Sequence, residues 1–424
     1  MSSFLHVEVC QDPFFEKYYS ASTQPPFVPF TFQKGDRLVM IGDSITEARR
    51  FSLMLETYLS VCTPQLGIEV RNIGKGGETA EGFLERMNNE CLRYQPTAAV
   101  VCYGMNDTGY ASNNRVAADH YSAATARIIT NLISAGVRVI LSSPGCIGKL
   151  PPDDYMPDAH GTMDGINTTL RFIRDEAAAI ATAEKISFVD HFWNMYKARI
   201  NSIMMYGDDY AVCGADDGVH PSWAGHVVMA YGYFKALGIN GDLGTIVIDL
   251  VKKTAITQGG HTFIGELNGL YTFRSTNYPF CADGVPDKDW SIRSGMTLVP
   301  FNHEFNQMVL KVTGINTSRY RVSWMNHLNM LEEWHTYTDA ELFEGINLAE
   351  DFHLNPFSTP YNRVNDLIFQ KQGIESDETW HTWEALGASA EVGLAECESQ
   401  RKELRKAIEH AFVPVIHNIR LEAI

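Results

Sequence analysis

The sequence has few of the features that mark metal-binding or disulfide-linked proteins. Its 424 residues include eight cysteines, at positions 10, 62, 91, 102, 146, 213, 281 and 397. No two of them form a Cys-x-x-Cys pair, and none lies near histidines at the spacing of a zinc site. We therefore expect free thiols, several of them packed in the core, and neither a metal nor a cofactor.

Positive charge is also scarce, with 34 Lys and Arg against 51 Asp and Glu and a net charge of −17. Such a surface disfavours nucleic acid and anionic membranes, and no basic stripe interleaved with aromatics is present. No stretch reaches the ~18 apolar residues of a membrane span. Residues 1–8 lack the basic start and apolar core of a signal peptide. We expect a cytoplasmic protein without nucleic-acid or membrane partners, unless a leader has been removed.

Apolar runs and helical patterns alternate along residues 34–250, which we interpret as one domain. The predicted strands are 37–42, 68–73, 98–103, 137–143 and 186–190. The predicted helices are 46–62, 78–91, 115–136, 162–184 and 222–237. This alternation is typical of an α/β fold with a doubly wound parallel sheet. Residues 1–33 are expected to be an arm packed on its surface.

The pattern changes in residues 251–424, which we predict to be a β-rich region followed by helices. Residues 308–313 and 318–324 alternate with period two around a turn at 314–317, as an antiparallel pair would. Tyr361, Val364, Leu367 and Ile368 mark one apolar helix face, and residues 388–411 predict a second helix with a Glu398–Lys402 pair. Residues 413–424 predict a final strand.

Two motifs could together supply nucleophilic catalysis. Ser44, in Gly42-Asp43-Ser44, follows the first predicted strand, and Asp217-Gly218-Val219-His220 lies near the end of the domain. A serine attacks carbonyls well only when an imidazole takes its proton and a carboxylate orients that imidazole. Alternatively, Ser44 is a helix N-cap and His220 an ordinary loop histidine.

Two further segments also follow predicted strands, residues 72–79 and Gly104-Met105-Asn106-Asp107. Asn106 and Asp107 could be turn residues that tolerate left-handed φ. Gly74-x-Gly76 could begin a dinucleotide-binding loop, but residue 79 is Thr and no acidic partner follows about 20 residues later. No Gly-x-Ser-x-Gly elbow is present.

In this order, the four blocks resemble those of the SGNH (GDSL-type) hydrolase family. The resemblance implies a flavodoxin-like five-stranded sheet of order 2-1-3-4-5 and a catalytic triad of Ser44, His220 and Asp217. It also implies an oxyanion hole formed by the backbone N–H groups of Ser44 and Gly77 and the side chain of Asn106. Gly76 is an alternative to Gly77.

The tryptophans bear on the substrate, because indole faces stack on sugar rings. Five lie in the second region, where they could line a glycan site or simply fill the core: Trp290, Trp324, Trp334, Trp380 and Trp383. Trp193 and Trp223 lie in the first domain, and Trp223 is the better candidate for lining the cleft. The loop from Pro144 to Pro157 should form part of its wall.

The layout resembles carbohydrate-active SGNH esterases that carry a small β-rich region after the hydrolase domain, particularly at residues 345–349. We therefore expect a serine esterase that removes a short acyl group, with acetyl favoured, from a carbohydrate or another small ester. A lipid or thioester acylhydrolase and a glycan-binding module with a vestigial triad are the alternatives. The glycan, the acyl position and the oligomeric state stay open.

Overall fold

Five parallel strands form the sheet on which the candidate site is built. The computed structural model describes residues 12–22, 24–151, 161–215, 217–328, 331–382 and 388–424. The strands are β1 (Arg37–Gly42), β2 (Glu69–Asn72), β3 (Ala98–Cys102), β4 (Arg138–Ser142) and β5 (Ser187–Val189). Their order is β2-β1-β3-β4-β5, with parallel pairing throughout. The predicted doubly wound fold and strand order are confirmed.

Helices cover both faces of this sheet. They are α1 (Pro13–Tyr18), α2 (Ser44–Glu47), α3 (Phe51–Thr57), α4 (Ala80–Glu90), α5 (Arg115–Ser134), α6 (Met163–Glu184), α7 (His191–Tyr206) and α8 (Trp223–Ala236). Leu38 and Met40 of β1 share a buried cluster with residues of α3 and α8. Val39 and Ile41 pack on the opposite face with residues of α4 and α5. Because both faces are buried, the strand is a continuous apolar run rather than an alternating one.

The helix predicted over residues 46–62 is wrong as a single element. α2 ends at Glu47, α3 begins at Phe51, and Tyr58–Cys62 form a π-helical turn. Arg49 has φ of 57°, in the left-handed region, which interrupts the helix. The chain therefore changes direction shortly after Ser44.

The second region contains two sheets. Its strands are β6 (Asp242–Asp249), β7 (Thr254–Thr257), β8 (His261–Leu267), β9 (Leu270–Ser275), β10 (Gln307–Thr313), β11 (Arg319–Asn326), β12 (Leu331–Thr338), β13 (Ile346–Asn347) and β14 (Val415–Ala423). One sheet has the order β13-β10-β6-β7 and the other β12-β11-β14-β9-β8. β6 precedes the domain boundary expected at residue 250, although it pairs with strands that follow it.

The predicted antiparallel pairing of 308–313 with 318–324 is wrong, although both segments are strands. β10 pairs with β6 and β13, whereas β11 pairs with β12 and β14. Gly314, with φ of 70°, begins a link that passes from one sheet to the other. Period-two alternation reports that one face of a strand is buried, and it does not identify the neighbouring strand.

The helices of the second region are α9 (Ile292–Gly295), α10 (Phe301–Phe305), α11 (Asp339–Glu344), α12 (Leu348–Asp351), α13 (Ser358–Asp377) and α14 (Ala388–Ala411). The last two return to the edge of the first sheet. Glu375 of α13 accepts hydrogen bonds from Arg401 of α14 and from the backbone N–H of Asn72 in β2. The expected Glu398–Lys402 pair is replaced by Glu398–Arg71, at 2.5 Å. Glu398 also lies 3.6 Å from Arg401, so its partners are one distant and one neighbouring arginine.

Other expectations concern the arm, the cysteines and the tryptophans. Phe14 and Phe15 of α1 pack on Trp193 of α7. Trp324 is buried in the core. Six of the cysteine side chains are buried without disulfides and a seventh is partly exposed: Cys62, Cys91, Cys102, Cys146, Cys213 and Cys281, and then Cys397. Cys10 and Trp383 lie outside the described residues.

Candidate active site

Ser44 is the first residue of α2, directly after the carboxyl end of β1. The preceding residue, Asp43, is the N-cap, and its carboxylate accepts the backbone N–H of Ile45 at 3.0 Å. The capping position is therefore occupied by Asp43, and the Ser44 hydroxyl is directed to another partner. Burial raises the pKa of Asp43 to about 7.

That partner is His220. Its Nε2 lies 2.7 Å from Ser44 Oγ, and its Nδ1 lies 2.5 Å from Asp217 Oδ2. The carboxylate favours the tautomer with the proton on Nδ1, so Nε2 has a free lone pair to accept the serine proton. Two distant parts of the chain thus contribute to one continuous hydrogen-bond chain.

Asp217 is itself oriented by the backbone of its own loop. Its Oδ1 accepts the N–H groups of Val219 and His220, each at 2.8 Å. Burial, the largest influence, raises the pKa of Asp217, but the hydrogen bonds from His220 and Val219 together hold it below its usual value. Asp217 therefore stays ionised in weak acid and can still accept the hydrogen bond from His220 Nδ1.

The loop that carries His220 is anchored on both sides. Gly218 has φ of 84°, and a Cβ there would lie 2.6 Å from the backbone nitrogen of Pro151. Arg50 donates from Nη1 to the carbonyl of Pro221 at 3.1 Å. Only glycine permits this close approach to the loop after β4, which fixes the loop that carries the imidazole. Pro144–Pro151 is described, whereas residues 152–157 of the expected cleft loop lie outside the described residues.

Gly77 follows β2 and Asn106 follows β3, the two strands on either side of β1. Asn106 Nδ2 donates to the carbonyl of Glu78 at 3.0 Å, and Tyr110 donates its hydroxyl proton to Asn106 Oδ1 at 2.9 Å. The tyrosine thereby fixes which end of the amide carries the N–H groups. Gly77 has φ of 73°, a conformation that favours glycine.

Gly76 occupies a more crowded position than Gly77. A Cβ at Gly76 would lie 2.7 Å from Glu47 Oε2 and 3.8 Å from Ser44 Cβ, whereas one at Gly77 would have no heavy atom within 4 Å. Lys75 also donates its N–H to the carbonyl of Gly42 at 2.9 Å, which ties this loop to the end of β1. The glycines allow the loop to lie against Ser44.

A buried polar cluster supports this part of the site, and the motifs did not predict it. Glu78 is paired with Arg86 at 2.6 Å and accepts the Tyr103 hydroxyl at 2.5 Å. Asp107 accepts the backbone N–H of Ala80, at the start of α4, at 3.0 Å, and burial raises its pKa to about 6. Asp107 therefore holds the Asn106 turn against the N-terminus of α4. This contact is additional to the turn-forming role that the sequence suggests. In the sequence, this cluster is visible only as two acidic residues, Glu78 and Asp107, next to the glycine-containing motifs.

Trp223 is the first residue of α8 and is partly buried. The guanidinium of Arg50 lies 5.3 Å from its ring centroid. This cation–π contact places Trp223 against the anchored His220 loop.

A residue of the second region also reaches the site, and the motifs gave no indication of it. Trp380 donates its indole N–H to Glu47, three residues after Ser44. Among the described tryptophans of that region, Trp290 and Trp334 are 60% and 47% exposed. Trp290 follows Asp289, whose carbonyl accepts the N–H of Ala224 in α8 at 2.9 Å.

Two negative observations apply to the described part of the chain. No group of three or more His, Cys, Asp or Glu side chains is placed there to hold a metal ion. In the same residues, no helix is long and apolar enough to cross a bilayer. His226, the fourth residue of α8, is buried and stacks on Phe51 with ring centroids 6.0 Å apart.

Comparison with known proteins identifies the family. Residues 40–228 match the GDSL-like lipase/acylhydrolase family. This segment belongs to that family. The GDSL hydrolase segment begins within β1 and ends within α8, so it spans all four motifs. The chain is accordingly an ester-hydrolysing enzyme that carries a GDSL-type hydrolase segment.

Relatives differ in how much of the chain they match. An acetylxylan esterase of Geobacillus stearothermophilus is 24% identical over 225 residues, which cover 48% of this chain and 94% of that protein. The structure of a gut microbial diltiazem-metabolizing enzyme superposes with a TM-score of 0.73 at 23% identity, and covers 95% of this chain and 100% of that one. A GDSL-like lipase from Parabacteroides merdae covers 50% of this chain, with 18% identity and a TM-score of 0.40. The two-part architecture is therefore shared with the second of these.

Proposed function

We propose that Ser44 is the nucleophile of a serine esterase, with His220 as its general base and Asp217 as the residue that orients the imidazole. The observation that carries this assignment is the hydrogen-bond chain Ser44–His220–Asp217, with distances of 2.7 and 2.5 Å. His220 takes the Ser44 proton as Oγ attacks the ester carbonyl. The protonated imidazole then donates that proton to the leaving alcohol oxygen.

The oxyanion that forms in this step needs hydrogen-bond donors. We propose the backbone N–H groups of Ser44 and Gly77 and the side-chain amide of Asn106. The fixed amide orientation of Asn106 supports this role, since preorganised donors need no reorganisation as charge develops. Water, activated by His220, then attacks the acyl-enzyme and releases the acid.

The substrate we propose is a short acyl ester, acetyl above others, on a carbohydrate. Similarity to an acetylxylan esterase over 94% of that protein supports this class. Trp223, beside the His220 loop, is proposed to contact the alcohol part of the substrate, because the leaving oxygen must come within reach of Nε2. An indole there offers a flat apolar face to a sugar ring.

The direct test is hydrolysis of p-nitrophenyl acetate and of acetylated xylo-oligosaccharides by the wild-type chain, Ser44→Ala and Trp223→Ala. Ser44→Ala should lose both activities. Trp223→Ala should lose turnover of the oligosaccharide while retaining most of the aryl acetate activity. The carbohydrate assignment fails if the oligosaccharides are not deacetylated while the aryl acetate is.

A second candidate is a non-carbohydrate small-molecule ester. The full-length structural match to a diltiazem-metabolizing enzyme favours including it. Diltiazem incubated with the same variants separates the two candidates, since Ser44-dependent turnover of diltiazem without turnover of acetylated oligosaccharides would select the second.

A further inference from the structure

One face of α13 and the turn after it lies along the segment that follows the nucleophile. Its residues are spaced by three or four, as neighbours on a helix surface are: Phe369, Gly373, Ser376 and Trp380. The Phe369 ring centroid lies 4.2 Å from the guanidinium carbon of Arg49. Ser376 donates its hydroxyl proton to Glu47 at 3.3 Å, and Trp380 donates its indole N–H to the same carboxylate.

Trp380 is the member of this face that reaches the catalytic serine. A Cβ placed on Gly76 would lie 3.5 Å from Trp380 Cζ2 and 3.8 Å from Ser44 Cβ. The indole edge and the Ser44 side chain therefore both lie within van der Waals reach of the space beside Gly76. The same position lies 2.7 Å from Glu47 Oε2, so even one methyl group does not fit between these groups without a shift.

Two side-chain contacts and the local backbone fix the position of the Trp380 indole. Glu47 accepts its N–H, and the ammonium of Lys75 lies 5.2 Å from the ring centroid, a cation–π distance. The backbone that carries it, Glu378–Thr382, is a π-helical turn directly after α13. Such turns are rare and concentrate at functional sites. Trp380 is nevertheless only partly buried, so its free edge can meet a ligand.

We propose that Trp380 forms the end wall of the acyl-binding side of the cleft and limits the length of the acyl group. This inference rests on the proposed triad. The alcohol oxygen must lie near His220 Nε2 to receive its proton, and the carbonyl oxygen must face Gly77 and Asn106. The remaining substituent is the acyl chain, directed away from the imidazole. Gly76 and Trp380 border Ser44 on the side of strand β2, at the opposite end of the sheet from β5.

The test compares p-nitrophenyl acetate, butyrate, hexanoate and octanoate for wild type, Trp380→Ala and Trp380→Phe. Trp334→Ala is the control, because Trp334 is an exposed indole on β12 with a guanidinium, that of Arg321, 4.5 Å from its ring centroid. In Trp380→Ala, the ratio of kcat/KM for butyrate to that for acetate should rise about tenfold or more, because the longer acyl chain no longer overpacks against the indole. Trp380→Phe should give a smaller rise, and Trp334→Ala none.

The outcomes separate this inference from the proposed function. If wild type hydrolyses acetate through Ser44 but Trp380→Ala keeps the wild-type chain-length profile, the acyl wall is wrong and the triad stands. If Trp380→Ala instead loses only acetylated oligosaccharide turnover, the indole contacts the alcohol, which also overturns the proposal. If Ser44→Ala retains activity, the proposed function fails first. If the melting temperature of Trp380→Ala is well below that of wild type, the chain-length profile of Trp380→Phe decides instead.

Discussion

Glu375→Gln should destabilise the protein strongly, because Glu375 is the shared anion of a buried ion-pair cluster. Its carboxylate is 1% exposed and lies 2.7 Å from both Lys371 Nζ and Arg401 Nε. These two cations are themselves 1% and 2% exposed. The substitution keeps the shape of the side chain and removes only its charge.

The size of the expected loss of stability depends on the ion pairs that remain after the substitution. Removing one partner of a buried pair typically costs about 3–5 kcal/mol, because it leaves a buried charge uncompensated. Here Lys371 keeps Glu56 at 3.1 Å and Arg401 keeps Glu69 at 2.8 Å, so we expect about 3 kcal/mol, the lower end of that range. The backbone N–H of Asn72 can still donate to the glutamine oxygen.

The assay is urea denaturation followed by tryptophan fluorescence, with Glu398→Gln as the matched control. Glu398 pairs with Arg71 at 2.5 Å in the same helix–sheet contact, but its side chain is 50% exposed. Exposed pairs contribute about 1 kcal/mol or less. A loss for Glu375→Gln as small as that of the control would refute the buried-cluster argument.

The same cluster predicts the sign of a pH effect. Burial, the largest influence, raises the pKa of Glu375, but Lys371 and Arg401 outweigh it and hold that pKa below its usual value. Its stabilisation is therefore complete above the pKa of an unfolded glutamate, ~4.3, and is lost as pH falls through the folded value. The stability difference between wild type and Glu375→Gln should shrink in acid.

Two further predictions concern catalysis. Asn106→Ala should lower kcat on p-nitrophenyl acetate about 10²–10³-fold, the usual effect of losing one oxyanion donor, and unchanged kcat would place the donor elsewhere. Asp217→Asn should lower kcat about 10⁴-fold with an unchanged melting temperature.

The first sheet and the triad loop could be predicted from the sequence, because their signals are local. A parallel strand buried on both faces is a continuous apolar run, and the motif residues directly follow such runs at the carboxyl ends where open sheets place their sites. Ser44, which was expected at a strand end, lies within hydrogen-bonding distance of His220, and His220 of Asp217, both expected near the end of the domain.

The second region could be predicted less well, because its pairing depends on contacts far apart in sequence. The period-two alternation in β10 and β11 identified two strands but not the strands they pair with. Glu398 likewise pairs with the distant Arg71 and not with Lys402, as the sequence suggested. The approach of Trp380 to Glu47 joins residues more than 300 positions apart. No local pattern encodes such a contact.

The central claim, that Ser44 is the reacting group, is tested most directly by labelling with a fluorophosphonate and mapping the adduct by mass spectrometry. We predict one adduct per chain, on the peptide containing Ser44, with loss of ester hydrolysis in proportion to labelling. Ser44→Ala should remain unlabelled. An adduct on another residue, or full hydrolysis by a fully labelled protein, would contradict the account.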